Sequence, residues 1–279
     1  MKQRKGLKYC LKTRRNKKAK EGFNNFVGAC RWVWNHFLHV QQERLKAKKK
    51  RFTYSETASL LVEWKKQDDT VWLKEIHSQA LQQVLMQLDQ AFKDAFSKKN
   101  PKKFPRFKKK GQGGSFRYPQ GFKVDEDGVF LPKIGWVRFR KSRDIEGTIK
   151  NITISKRSDK WFISFGVEKE VPNKIIHPSS SYIGIDLGIT RFATLSSGKY
   201  YEPLNVFRRM EKQLAKEQRN LARKIKGSNN WKKQKRIIGR LYIRIANIRQ
   251  DFLHKISTIL SKSHAIVFME KLLVANMSK

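Results

Sequence analysis

Cysteine is scarce: Cys10 and Cys30 are the two in 279 residues, and they form no CxxC pair. That argues against a disulfide framework and against a complete zinc site within this chain, and it points to a reducing cytoplasm. No apolar run is long enough to span a bilayer. The charged start, Met1-Lys2-Gln3-Arg4-Lys5, is not followed by an apolar secretory segment. The most telling shortage is of acids, with 23 Asp and Glu against 63 Lys and Arg, a formal charge of +40. Self-repulsion of that size asks for a polyanionic partner, whereas a merely soluble surface needs only a modest charge of mixed sign. Nucleic acid fits. A membrane surface fits less well, because no stretch joins a long apolar face to flanking basic residues.

What is present is enough for real cores, since 18 Phe and seven Trp accompany the aliphatic residues. The length suggests about two domains. Lys5 to Thr13 reads as a strand, with Leu7, Tyr9 and Leu11 alternating against polar neighbours. All ten charges in the first 20 residues are positive. From about Asn16 to Ser97 the period turns helical. Phe23, Phe26, Val27, Cys30, Val33, Trp34 and Phe37 share one face, and Ala80, Leu81, Val84, Leu85, Leu88, Phe92 and Phe96 another. Lys46 to Arg51 is a charged break between them. Asn100-Pro101 ends the helical region. Ser115 to Val171 reads as short antiparallel strands, with a hairpin turn at Asp127-Gly128, and suggests a small barrel that the N-terminal strand could join. Pro172 to Ser181 looks like a linker. Tyr182 to Asp186 is an apolar strand ending in a carboxylate, Arg191 to Leu195 a second, turning at Ser197-Gly198. A helical hairpin from about Pro203 to Ser261, broken near Gly227, carries a stripe of Leu241, Ile245, Ile248, Phe252, Ile256 and Ile259. Ala265 to Met269 reads as a buried strand ending at Glu270.

Two places carry chemistry. Lys98 to Lys110 holds eight basic residues in 13, among them Lys102, Lys103, Arg106 and Lys108, interleaved with Phe104 and Phe107. Cations for phosphates and ring faces for bases suit single-stranded nucleic acid. The other reading is a solvated loop whose rings pack on the fold, and the pattern leaves both open. The second place is the pair Asp186 and Glu270, each ending an apolar strand, with a hairpin and helices between. That is the outline of an RNase H-like nuclease, in which clustered carboxylates hold Mg²⁺ ions for phosphodiester cleavage. Against it, Asp186 beside Gly188 could simply form a turn, and Glu270 could simply close a strand. Cys30, His36 and His39 could be imagined as metal ligands, but Cys30 lies on the apolar stripe and reads as packing. His254, on the polar side of its stripe, reads as structural rather than as a base.

At these residues the sequence resembles the TnpB (OrfB) family of transposon-encoded nucleases. Gly184-Ile185-Asp186-Leu187-Gly188-Ile189 with Phe192-Ala193 is similar to its first catalytic motif. Val267-Phe268-Met269-Glu270-Lys271-Leu272 resembles its second, and Asp251-Phe252-Leu253-His254-Lys255 the helix before it. Upstream, Pro105-Arg106-Phe107-Lys108 and Ser115-Phe116-Arg117-Tyr118-Pro119 look like the family's central segment, and Trp32-Val33-Trp34-Asn35 its aromatic-asparagine helix.

The resemblance implies an α+β fold: a wedge-like split β-barrel (1–15 and 98–175), an inserted helical recognition domain (16–97), and a partial RuvC-type, RNase H-like α/β domain (176–279). It implies an RNA-guided DNA endonuclease of a prokaryotic transposable element, in older usage a transposase with an N-terminal helix-turn-helix. Its partners would be guide RNA and double-stranded target DNA, its cofactor Mg²⁺ held by Asp186 and Glu270. The family pattern continues into a zinc ribbon and a third catalytic aspartate that have no counterpart in these residues. The expectation is therefore that this chain binds but does not cut efficiently by itself, unless a second polypeptide supplies the rest. The alternative is a catalytically incomplete nucleic-acid-binding remnant or repressor. A basic structural RNA-binding protein is a third reading, but it has no need of two strands ending in acids.

The charge alone generates a prediction: the protein co-purifies with RNA, and affinity falls steeply with salt, with a log–log slope of about −0.7 per phosphate contact on single strands. Salt-insensitive binding, or a preparation free of nucleic acid, would contradict it.

Overall fold

The computed structural model describes residues 2–13, 16–97, 102–111, 113–172 and 177–270. The chain divides into two compact units, Met1–Val171 and Pro172–Lys279.

The first unit begins with β1 (Lys2–Leu11), which buries Tyr9 and Leu11. Asn16 then caps α1 (Lys17–Lys46), accepting from the Ala19 N–H at 2.9 Å. The helix buries Phe23, Phe26, Cys30, Val33 and Phe37, the face expected from their spacing. After the charged break come α2 (Tyr54–Trp64), a 3₁₀ stretch (Asp68–Glu75) and α3 (Ser78–Ala95). The first two of these were not anticipated. Only Thr53-x-x-Glu56 announces α2, through a capping box in which each side chain satisfies a backbone N–H of the other.

Six further strands follow: β2 (Gly114–Tyr118), β3 (Lys123–Val124), β4 (Gly128–Leu131), β5 (Gly135–Arg140), β6 (Thr148–Arg157) and β7 (Lys160–Glu170). With β1 they form a curled antiparallel half-barrel in the order β2-β6-β7-β1-β5-β4-β3. The N-terminal strand thus joins the sheet in its middle, between β7 and β5. The hairpin at Asp127-Gly128 needs correcting. Its turn lies at Asp125 to Asp127, while Gly128 is a strand residue paired with Arg138 beneath the Trp136 ring. Sheet and helices share one core, in which Trp161 packs on Phe23 at 5.0 Å and Phe116 on Phe26 at 4.9 Å.

The second unit has β8 (Tyr182–Asp186), β9 (Ala193–Leu195), β10 (Tyr200–Tyr201), α4 (Val206–Ala222), α5 (Asn229–Ser263) and β11 (Ile266–Met269), with sheet order β10-β9-β8-β11. Ser228 caps α5, accepting from Trp231 N at 3.1 Å. Ile256 and Leu260 of α5 pack on Ile183, Ile185, Ala193 and Leu195. Leu260, not the expected Ile259, completes the stripe, since Ile259 is 49% exposed. Farther up, Ile238 and Leu241 pack against Leu214 of α4. The expectation of a buried last strand also fails: β11 is exposed along its length, with Phe268 at 59%. Among the described residues it is an edge strand, paired on one side only, by β8. No described helix is long and apolar enough to cross a membrane.

A Cβ on Gly114 would stand 2.2 Å from Val27 Cγ1, so β2 lies against α1 only because that side chain is missing. Gly114→Ala is expected to lower stability by about 1–3 kcal/mol through overpacking, and Val27→Ala to recover part of the loss in the double variant. Denaturant melts of the four proteins check this; additive effects would contradict it.

Candidate functional site

Strand parity sends Ile183 and Ile185 into the core and turns Gly184 and Asp186 to the opposite face. β8 is fixed on one side by β9, where the Ser196 hydroxyl accepts from Gly184 N at 3.1 Å. On the other side β11 runs parallel to it, in the register Ile266–Tyr182, Val267–Ile183, Phe268–Gly184, Met269–Ile185. One more step of the same register sets Glu270 level with Asp186, on the same face and one strand spacing away, about 4.8 Å between backbones. Both residues are exposed. The chain can turn sharply after Asp186 because Gly188 sits against the Arg191 carbonyl, where a Cβ would be 3.0 Å from the oxygen.

The start of both strands is held by polar contacts. Ala265 N donates to the Ser181 carbonyl at 2.8 Å, and the Ser181 hydroxyl donates to the Ser263 carbonyl at 2.9 Å. His177 donates through Nε2 to the Ser261 carbonyl at 2.9 Å. The polar stretch read as a linker therefore ties the end of α5 to the start of β8, and with it the register that aligns the acids.

The basic segment is a clamped loop. Trp34 Nε1 donates to the Arg106 carbonyl at 3.0 Å, and Asn35 bonds the Lys108 backbone twice, at 3.0 and 2.7 Å. Lys108 lies over the Trp34 ring, 3.6 Å from its centroid, and burial holds its ammonium below the usual lysine range. Lys102 pairs with Asp94 at 2.7 Å, while Lys103 and Arg106 face solvent. The two phenylalanines separate. Phe104 packs edge-on against Phe92 at 5.2 Å and Phe96 at 5.9 Å, whereas Phe107 is 49% exposed. Lys98 and Lys99 lie outside the described residues.

Sequence reasoning missed the clamp itself, Trp34 and Asn35, although their dipeptide was visible. It also missed a basic stripe on α4, where Arg208, Lys212, Lys216, Arg219 and Arg223 recur every three or four residues and are all exposed. Cys30, His36 and His39 form no metal site, since no group of three ligand-type side chains occurs among the described residues. The Cys30 thiol is pushed up to about 12 by burial. His36 stacks on Trp32 at 4.7 Å.

Residues 164–279 match a family model described as "Probable transposase" (OrfB of IS605), and residues 1–50 match one described as a helix-turn-helix domain. The chain belongs to the TnpB (OrfB) family. InsQ of Escherichia coli (strain K12), named as a candidate RNA-guided DNA endonuclease, is 51% identical over 256 residues, 91% of this chain and 63% of that protein. A candidate RNA-guided DNA endonuclease of Streptomyces pristinaespiralis is 34% identical over 258 residues, 90% of this chain and 63% of that one. The chain thus spans less than two thirds of these TnpB relatives. A solved CRISPR-Cas12f ternary complex aligns with a TM-score of 0.36 and 13% identity over 92% of this chain and 63% of that one, too slight a likeness to bear on fold or function. In this TnpB chain the helix-turn-helix match falls on β1 and a single unbroken helix, α1, followed by a turn.

The divided loop predicts divided effects. Phe104→Ala is expected to lower stability by about 1–3 kcal/mol with little change in affinity per folded molecule. Phe107→Ala should leave the melting temperature unchanged and weaken single-stranded RNA binding by about 1–3 kcal/mol. Thermal melts and fluorescence anisotropy check both; the reverse pattern would contradict the assignment.

Proposed function

We propose that the chain is the nucleic-acid-binding body of an RNA-guided DNA endonuclease of a transposable element, with Asp186 and Glu270 as acids of a RuvC-type site. The observation that carries this is the β8–β11 register, which aligns the two carboxylates. The strand order supports it, because an antiparallel β8-β9-β10 meander with β11 parallel to β8 is the RNase H-like outline. The names of InsQ and the Streptomyces relative agree. In the same reading, 1–15 and 98–175 form the wedge, 16–97 the recognition insert and 176–279 the nuclease domain, in the cytoplasm of a prokaryotic cell.

The acid pair fits Mg²⁺: two exposed carboxylates offer hard oxygen donors, and Asp186 is spent on no ion pair with a described residue. When bound, Mg²⁺ supplies charge neutralisation and an activated water for phosphodiester cleavage. The chain's own residues do the rest. Gly188 sharpens the turn that presents Asp186, the Ser181 and His177 contacts set the level of Glu270, and Lys103, Arg106 and Lys108 hold phosphates. Guide RNA reads the double-stranded target by base pairing, while the protein reads backbone and shape. A third acid, from a second polypeptide or another segment, would complete the metal shell. A second reading, binding without cutting, is favoured by the fact that the described residues align two acids and not three.

The test uses the full chain loaded with RNA from the transposon end and a matching DNA duplex. Guide-dependent DNA capture is expected in the wild type and in Asp186→Ala alike. Any Mg²⁺-dependent cleavage should fall about 100-fold or more in Asp186→Ala and in Glu270→Ala. Equal cleavage by the variants overturns the acid assignment, absence of guide-dependent capture overturns the RNA-guided reading, and capture without cleavage by the wild type favours the second reading.

A further inference from the structure

The middle of the seven-stranded sheet carries a glycine for which the fold gives no reason. β1 and β7 pair so that Gly6 stands opposite Gly166. Tyr9, Leu11, Ile163 and Phe165 point into the core, so Gly6, Lys8, Ser164 and Gly166 lie on the other face. Glycine weakens a strand interior and marks a bulge, a bend or the close approach of another backbone. Gly166 has a local cause: the register shifts between Ile149 and Asn151, and a Cβ would stand 2.7 Å from Asn151 Nδ2. Gly6 has no such cause. Its backbone is outside the left-handed region, and a Cβ there would meet nothing within 4 Å.

The surroundings of this bare floor are built for a polyanion. The next row across the sheet runs Lys8, Ser164, Thr153, Arg117, one residue from each of β1, β7, β6 and β2. It spans three strand spacings, about 14 Å, with a cation at each end and hydroxyls between. Arg117 Nε is enclosed without a hydrogen-bond partner, a donor left unsatisfied. Burial and the positive charge of Arg157 hold Lys8 below the usual lysine range. On the far side of the glycines the one acid, Glu168, is already covered by Arg4 at 3.1 Å and Lys150 at 3.4 Å.

We propose that this outer face, floored by Gly6 and Gly166 and bounded by Lys8 and Arg117, is a docking site for the sugar–phosphate backbone of RNA. The proposal rests on the RNA-binding reading above and assigns it a second surface, distinct from the 102–108 loop. RNA is favoured over DNA because Ser164, Thr153 and Asn151 both donate and accept, as a ribose 2′-hydroxyl does, whereas phosphate alone calls for donors. Gly6 keeps the floor low enough for a backbone to lie on it.

The test is Gly6→Val in the full chain, with Arg117→Gln beside it, read by melting temperature and by affinity for a labelled RNA hairpin and a DNA hairpin of the same sequence. Valine suits a strand and finds open space at this position, so the melting temperature should hold or rise while RNA affinity falls about tenfold. Arg117→Gln should weaken RNA binding in the same direction without unfolding the protein. Unchanged RNA affinity in folded Gly6→Val sinks the proposal, and a lowered melting temperature assigns Gly6 to strand geometry instead. Equal losses on both hairpins overturn the preference for RNA. If the wild type itself binds no RNA, the RNA-guided reading fails as well, an outcome separate from any of these.

Discussion

The parallel pairing of β8 with β11 is the constraint on which the second unit depends. Two parallel neighbours cannot be joined by a tight turn, so the chain must cross back over the sheet before the second strand begins. The helices α4 and α5 make that return, and the apolar stripe of α5 holds it down through Ile256 and Leu260. The crossing brings the chain to Ala265 beside Ser181, where hydrogen bonds fix the level at which β11 starts. From there both strands run in one direction and end at one edge. A carboxylate at the end of each is then a consequence of the topology rather than of any local attraction between acids.

Charge is arranged by the same economy. Asp89 shows how the few acids are used: burial raises its pKa, but hydrogen bonds from Arg51 and Lys93 outweigh that and hold its carboxyl below the usual range. Asp94 and Glu168 are covered by lysine and arginine in the same way. Such surface pairs add little stability each. Their effect is on distribution, for they leave the remaining cations, on the 102–108 loop, on α4 and at Lys8, without acidic answers nearby. A phosphate backbone supplies those answers, with release of its counterions.

Much of this was legible in the sequence, and the misses have physical reasons. The helix faces of α1 and α3 and the strand ends at Asp186 and Glu270 follow from periodicity, which reports burial directly. Burial of β11 was misread because an apolar run looks the same whether its second edge is paired or open. Ile259 was chosen over Leu260 because both continue the stripe and only packing on Ile183 and Ile185 selects between them. The split between Phe104 and Phe107 was beyond sequence altogether, since it depends on Phe92 and Phe96 lying beside one ring and not the other. Gly6 is the converse case: plain in the sequence, it became informative only once its register with Gly166 was known.

The central claim is that Asp186 and Glu270 form one cation site. Mn²⁺, a spectroscopic stand-in for Mg²⁺, can be titrated into the full chain and followed by electron paramagnetic resonance, with Asp186→Asn, Glu270→Gln and the double variant alongside. If the acids act together, each single change removes the same bound ion and the double variant binds no worse than either. Single variants that retain the ion, or losses that simply add, would show that the two carboxylates bind independently and would contradict the account.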